Sequence, residues 1–314
     1  MYDSDKYLLD SFKSAQNPQL AEKDYLECMI LDRLFEEPYF KENFVFAGGG
    51  TITKIYRMGN RIGQDIDLAL VNFEENPQSH NQLQKFRKKF TKFVFEDLNI
   101  KVQAIAKHIG TFEVITDIEN ITKTVGQQNT CVPSPTLHLS YYSELDPNIK
   151  GTINIEFIPR HYDTGEIYHK SATPYSTGLT MNNDIPTVHY AQTFWDKVYA
   201  LHTIHQIGLM RQGLSNHYYD VASLSKNVNL GKTQHMLFSI AEYQQQFTTR
   251  KLTPLQSVTD VKLMPKCESD IKTLSIDYQK LRGRFICDAE PWPRVLMTIN
   301  KLNKSIQTLK EFSK

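Results

Sequence analysis

The chain has 314 residues, 40% of them hydrophobic and 23% charged, which is enough for two domains with cores of their own and excludes an intrinsically disordered protein. A formal net charge of +1 excludes a wholesale coat for nucleic acid but permits a local basic groove within a neutral whole. Cysteines at 28, 131, 267 and 287 form no C-x-x-C and no zinc-like pair, so free thiols in a reducing compartment are expected. The N-terminus is polar and acidic and no run of about 18 apolar residues occurs, so neither a signal peptide nor a membrane span is expected and the location is read as cytoplasmic.

Residues 3–15 and 18–37 read as two helices, the second opening at Asn17-Pro18 as cap and first turn. Leu26, Met29, Ile30 and Leu34 fall at helical spacing and form its expected core stripe. Next comes the stretch on which the chemistry centres. Phe44-Val45-Phe46 has the look of a buried strand, and it breaks into Gly48-Gly49-Gly50, where no side chain obstructs the approach of a ligand. Thr51 and Lys54 follow, a hydroxyl and a cation suited to phosphate oxygens, while the glycines present backbone N–H groups as a helix starts. In Asp65-Ile66-Asp67-Leu68-Ala69-Leu70, strand alternation puts the two carboxylates on one face and the aliphatic residues on the other. The carboxylates repel each other unless a cation sits between them.

Over residues 83–98, Phe86, Phe90, Phe93 and Phe95 fall near one face of a helix, and Lys85, Arg87, Lys88, Lys89 and Lys92 on the other. This basic face is either simply solvated or a contact for a nucleic-acid backbone. Strands are expected at 101–107, 112–118 and 137–145. In Ile153-Asn154-Ile155-Glu156-Phe157-Ile158, Asn154 and Glu156 share one face, which lets Glu156 stand beside the aspartate pair. Asp117 and Glu119 are weaker candidates for the same place.

Residues 159–186, rich in Pro, Gly, Thr and Asn, read as a linker or a long loop. Beyond them helices are expected at 187–207, 218–225, 232–247, 268–281 and 293–312. His202, His205 and His217 sit in this helical part, where satisfied core or surface histidines are expected rather than metal ligands.

The glycine turn and the Asp-x-Asp strand together resemble the nucleotidyltransferase superfamily related to DNA polymerase β. Gly49, Gly50, Thr51, Lys54, Arg61, Asp65, Asp67 and Leu68 are closer still to the pattern of AbiEii/AbiGii-type toxins, the nucleotidyltransferases of bacterial toxin–antitoxin systems. Residues 193–202, TFWDKVYALH, look like that family's T-F-x-E-K-x-x-x-L-H helix with Asp196 in place of Glu. Residues 215–221, SNHYYDV, resemble its S-R-H-Y-Y-D-L motif with Asn216 in place of Arg, and Gly63 stands where the family usually has Ser.

The resemblance implies an α+β fold, with a mixed-sheet nucleotidyltransferase domain over 1–186 and a mostly α-helical bundle domain over 187–314 that completes the active-site cleft. It implies that Asp65, Asp67 and Glu156 bind Mg²⁺ in a two-metal site. Gly49, Gly50 and Thr51 would hold the triphosphate, with Lys54 and Lys197 offsetting its charge and Asp220 orienting Lys197. The implied reaction moves an NMP from an NTP to an acceptor hydroxyl and releases pyrophosphate. RNA such as tRNA is the implied acceptor, and a cognate antitoxin the implied partner. Two other readings stay open: a small-molecule or protein acceptor, and a non-catalytic nucleotide-binding protein, suggested by Gly63 and Asn216.

Overall fold

The computed structural model describes residues 3–63, 65–71, 79–109, 113–115, 134–161, 167–208, 212–247 and 253–309. The chain divides into two compact units, Met1–Arg57 with Arg61–Val188, and Met58–Asn60 with His189–Lys314. The first is built on a sheet and the second on helices, so the fold is α+β.

The first unit opens with α1 (Asp3–Ser14) and α2 (Pro18–Glu36). Asn17 caps α2, its side chain accepting from the Leu20 N–H at 3.2 Å, and Pro18 takes the first turn, where a missing N–H costs nothing. The buried face of α2 is rotated from the expected stripe. Ile30 and Leu34 are buried and Leu26 and Met29 only half-buried, while Glu22, Asp24, Glu27 and Asp32 are all buried.

These carboxylates hold distant chain. Glu22 accepts from the Ser143 hydroxyl and the Glu144 N–H, both at 2.6 Å, Asp24 from the Tyr175 N–H at 2.7 Å and Asp32 from the Asn183 N–H at 2.7 Å. Buried acids are tolerable only when paired in this way.

A short α3 (Pro38–Asn43) leads into β1 (Phe44–Ala47), and the glycine run begins α4 (Gly48–Lys54). β2 is Asp65–Leu70, β3 Glu113–Ile115, β4 Thr136–Tyr142, β5 Lys150–His161, β6 Ile167–Ser171 and β7 Asp184–Val188. Among the described residues they form one mixed sheet in the order β3-β4-β5-β2-β1-β7-β6. Its centre is hydrophobic through and through, with Phe44, Phe46, Ile66, Leu68, Ile155 and Phe157 fully buried.

Two sequence expectations are corrected here. Residues 101–107 are not a strand but part of α6 (Asn99–Ile109), which follows α5 (His80–Phe93) through a π-helical turn, Val94–Leu98. The alternation of Val102, Ala104 and Ala106 mimicked a strand, whereas the buried set is Val102, Ile105 and Ala106, a helical spacing. The stretch 159–186 is not all loop. It contains β6 and the start of β7, and the exposure of β6 at the sheet edge explains why its sequence is too polar to announce a strand.

The second unit contains α7 (Tyr190–Ile207), α8 (Leu214–Leu224), α9 (Leu230–Thr233), α10 (His235–Phe247), α11 (Glu268–Lys280) and α12 (Trp292–Gln307). Phe194, Trp195, Val198, Leu201, Val221, Leu224 and Ile299 are buried in its core. Gly208 ends α7 at φ 73°, a left-handed cap that glycine takes without a Cβ clash. Asp277 of α11 acts as a remote cap for α8, accepting from the N–H groups of Gly213 and Ser215 and from the Ser215 hydroxyl. Burial would raise the Asp277 carboxyl, but these bonds reverse it and leave it below the usual range. No helix among the described residues is long and apolar enough to cross a membrane.

Candidate active site

β2 and β5 run parallel, and their register decides which acids meet. Asp67 lies opposite Glu156 and Asp65 opposite Asn154. Since alternate residues share a face, the side chains of Asp65, Asp67, Asn154 and Glu156 stand together on one side of the sheet. All four are half-buried. Burial pushes the Glu156 carboxyl up from its ordinary value; the Ser134 hydroxyl bonded to it works against this, and the charge of Asp65 adds to it.

The glycine turn abuts this face. Ala47, the last residue of β1, pairs with Asp67, and Gly48 adopts φ 71° directly after it. A β-carbon on Gly48 would come to 1.7 Å from the Asp67 Oδ2, so the carboxylate occupies the room that only glycine leaves. Gly48 thus joins Gly49 and Gly50 as a candidate site residue, and its place as the first glycine of the run is its signal in the sequence.

Gly63 has a comparable reason. A Cβ there would lie 2.8 Å from the Cα and 2.9 Å from the N of Gly50, so the chain is drawn against the turn too closely for a side chain at this position.

Thr51 and Lys54 are placed differently from expectation. The Thr51 side chain is fully buried and its hydroxyl donates to the Gly48 carbonyl at 2.8 Å, closing the first turn of α4. Lys54 points into the core, where its ammonium meets Asp24 at 2.5 Å and Glu27 at 2.7 Å. Burial alone would lower the Lys54 pKa, but the two carboxylates overturn that and hold the ammonium charged. Its partners are thus protein acids rather than phosphates. Helical spacing turns Lys54 away from Gly49, which sequence order alone does not reveal.

Arg61 is buried as well, with a guanidinium N–H donating to the Ile62 carbonyl at 3.3 Å. Asp117 and Glu119 lie outside the described residues.

In the helical unit, Lys197 of α7 and Asp220 of α8 form an ion pair at 2.8 Å, with the lysine side chain 12% and the aspartate 2% exposed. A buried acid paired with a slightly exposed ammonium orients that ammonium. His202 accepts from the Lys262 N–H and meets Gln206, and His205 bonds the Met264 carbonyl, so both are satisfied structural histidines.

Among the described residues no group of three or more His, Cys, Asp or Glu side chains forms a ready metal cage. The donor set nevertheless suits magnesium. That ion keeps several waters and takes one or two carboxylates together with substrate phosphates, and Asp65, Asp67 and the neighbouring Glu156 offer hard oxygen ligands whose mutual repulsion a cation relieves.

The model of the nucleotidyl transferase AbiEii toxin family, type IV toxin–antitoxin system, matches residues 30–296. No curated protein matches the chain. Among solved structures, MenT4, the nucleotidyltransferase toxin Rv2826c from Mycobacterium tuberculosis H37Rv, is similar at a TM-score of 0.45 and 12% identity, over 98% of this chain and 97% of that one. That likeness is too distant to argue from, but the family match spans most of the sequence: the chain belongs to the AbiEii family of nucleotidyltransferase toxins of type IV toxin–antitoxin systems.

Proposed function

We propose that this protein transfers an NMP from an NTP to a hydroxyl of an RNA acceptor, tRNA being the prime candidate, in the cytoplasm and under the control of a cognate antitoxin. The observation that carries the reading is the register of β2 with β5, which sets Asp65, Asp67 and Glu156 on one face beside the glycine turn. Asp65 and Asp67, with Glu156, would hold one or two Mg²⁺ ions. Bound there, the metal supplies neutralisation of triphosphate charge and activation of the acceptor oxygen.

The acceptor oxygen forms a bond to the α-phosphorus, the bond from that phosphorus to the α–β bridging oxygen breaks, and pyrophosphate leaves. Glu156, set opposite Asp67 on the same face, is the group suited to take the acceptor proton. Gly49, half-buried, leaves its backbone open to the triphosphate, while Gly50 is packed against Phe46 and Gly63 and, with the Thr51 bond to Gly48, shapes that turn. Lys197, oriented by Asp220, is the proposed cation for the phosphates. Lys54 has no part in this, since its charge is already matched inside the core.

An RNA acceptor is favoured over a small molecule by α5. Phe86 and Phe90 are buried while Lys85, Lys88, Lys89 and Lys92 are exposed, so the helix presents a basic face to solvent.

The test is incubation with each labelled NTP, Mg²⁺, and total RNA or total protein. Label is expected in RNA and is expected to vanish in Asp65→Asn and Asp67→Asn, whose folds should persist because removing one of two repelling charges does not destabilise the apo protein. Near wild-type transfer by either variant removes that aspartate from the mechanism. Label in protein or in a small molecule overturns the RNA assignment alone.

A further inference from the structure

Three residues stand in a row across three neighbouring strands. In the sheet register, Asp65 of β2 lies opposite Asn154 of β5, and Asn154 lies opposite His138 of β4. Their side chains are joined end to end: the Asn154 Nδ2 donates to the Asp65 Oδ1 at 2.8 Å, and the His138 Nδ1 lies 2.7 Å from the Asn154 Oδ1.

The direction of this chain follows from donor and acceptor inventory. An ionised carboxylate only accepts, so Asn154 must turn its NH₂ to Asp65, which leaves its carbonyl oxygen facing the imidazole. A carbonyl oxygen also only accepts. His138 must therefore carry a hydrogen on Nδ1, and the row is a fixed strut.

We infer that His138 is a positioning residue of the nucleotidyl-transfer site, which locks the Asn154 amide so that Asp65 presents its carboxylate in one orientation. Without the Nδ1–H, the Asn154 carbonyl would lose its partner, the amide would be free to rotate, and one rotamer would set its oxygen against the Asp65 carboxylate. Groups that orient a ligating carboxylate from behind typically matter about 10–100-fold in metal affinity or activity. The inference rests on the reading of Asp65 as a catalytic carboxylate.

The experiment compares four full-length variants. His138→Phe keeps a planar ring but has no donor. His138→Asn restores an N–H at the same distance from the backbone as Nδ1. Asn154→Asp keeps the shape but replaces the NH₂ with an acceptor, and Asp65→Asn controls for the parent reading. Two quantities are read: kcat and KM for NTP in the transfer reaction, and Mn²⁺ affinity measured by electron paramagnetic resonance without nucleotide.

For His138→Phe, kcat and Mn²⁺ affinity are each expected to fall about tenfold with little change in KM, and His138→Asn to recover most of both. Asn154→Asp is expected to lose about a hundredfold in kcat. Equal losses in His138→Phe and His138→Asn would reduce His138 to a packing residue and overturn the inference. Full activity of His138→Phe in a protein that Asp65→Asn inactivates would overturn it while leaving the parent reading intact. Full activity of Asp65→Asn would overturn both.

Discussion

Gly48 shows how far one atom decides the site. Its φ of 71° is open to glycine at no cost and costs other residues roughly 1–2 kcal/mol, and its missing β-carbon makes the room in which the Asp67 carboxylate sits. Gly48→Ala is therefore expected to lower transfer by at least about a hundredfold, because a misplaced ligand of this kind weakens charge stabilisation in the transition state. It should lower Tm only modestly. Steady-state kinetics beside a melting curve decide the matter: a variant that melts early but keeps its kcat would show that Gly48 serves the turn and not the aspartate. Lys54 makes the complementary point. Its place in sequence suggests phosphate, and its position on the far side of a short helix gives it to Asp24 and Glu27.

Among the elements, α2 and α5 use the same amphipathic principle for opposite ends. Helix α2 buries carboxylates, which clamp the segment after β4, the end of α4 and the segment after β6. Helix α5 buries phenylalanines and turns lysines outward. If RNA lies along that face, replacing Lys85, Lys88 and Lys92 with Gln should flatten the slope of log affinity against log salt by about 0.7 for each lost single-strand contact. NTP binding should be spared. Retention of the wild-type slope by the triple variant would move the RNA elsewhere. Both helices were legible as helices, through the Asn17-Pro18 cap and the Phe spacing. Which side of α2 faces the core was not, because buried acids follow the position of their partners rather than any periodicity in the helix itself.

For the molecule as a whole, titration of buried groups in both units sets the pH range of stability. Burial, with a contribution from His205, lowers the pKa of His202 to about 4. The unfolded chain takes up this proton near pH 6.5 and the folded chain only near 4, so stability is lost as pH falls through that interval. On the alkaline side, burial raises the hydroxyls of Tyr141, Tyr218 and Tyr278, and paired carboxylates raise Lys54. Unfolding then releases protons above about pH 10, and stability falls as pH rises. Urea midpoints measured from pH 4 to 11 should be highest between about 6.5 and 10. The acid limb should be shallower in His202→Gln; an unchanged acid limb would show that the loss arises elsewhere.

The sequence by itself determined what depends on neighbours a few residues apart: the buried strand β1, the glycine turn, the shared face of Asp65 and Asp67, that of Asn154 and Glu156, and the helices of the second unit. Tertiary structure decided what depends on register and on residues far along the chain. The parallel pairing of β2 with β5 brought Glu156 opposite Asp67, β4 brought His138 to Asn154, and α2 drew Lys54 inward. The edge strand β6 formed from a polar segment because β7 was there to pair with it. The physical reason is the same in each case: side-chain periodicity is a local property of the backbone, whereas hydrogen-bond and ion-pair partners are chosen among groups that only folding makes neighbours.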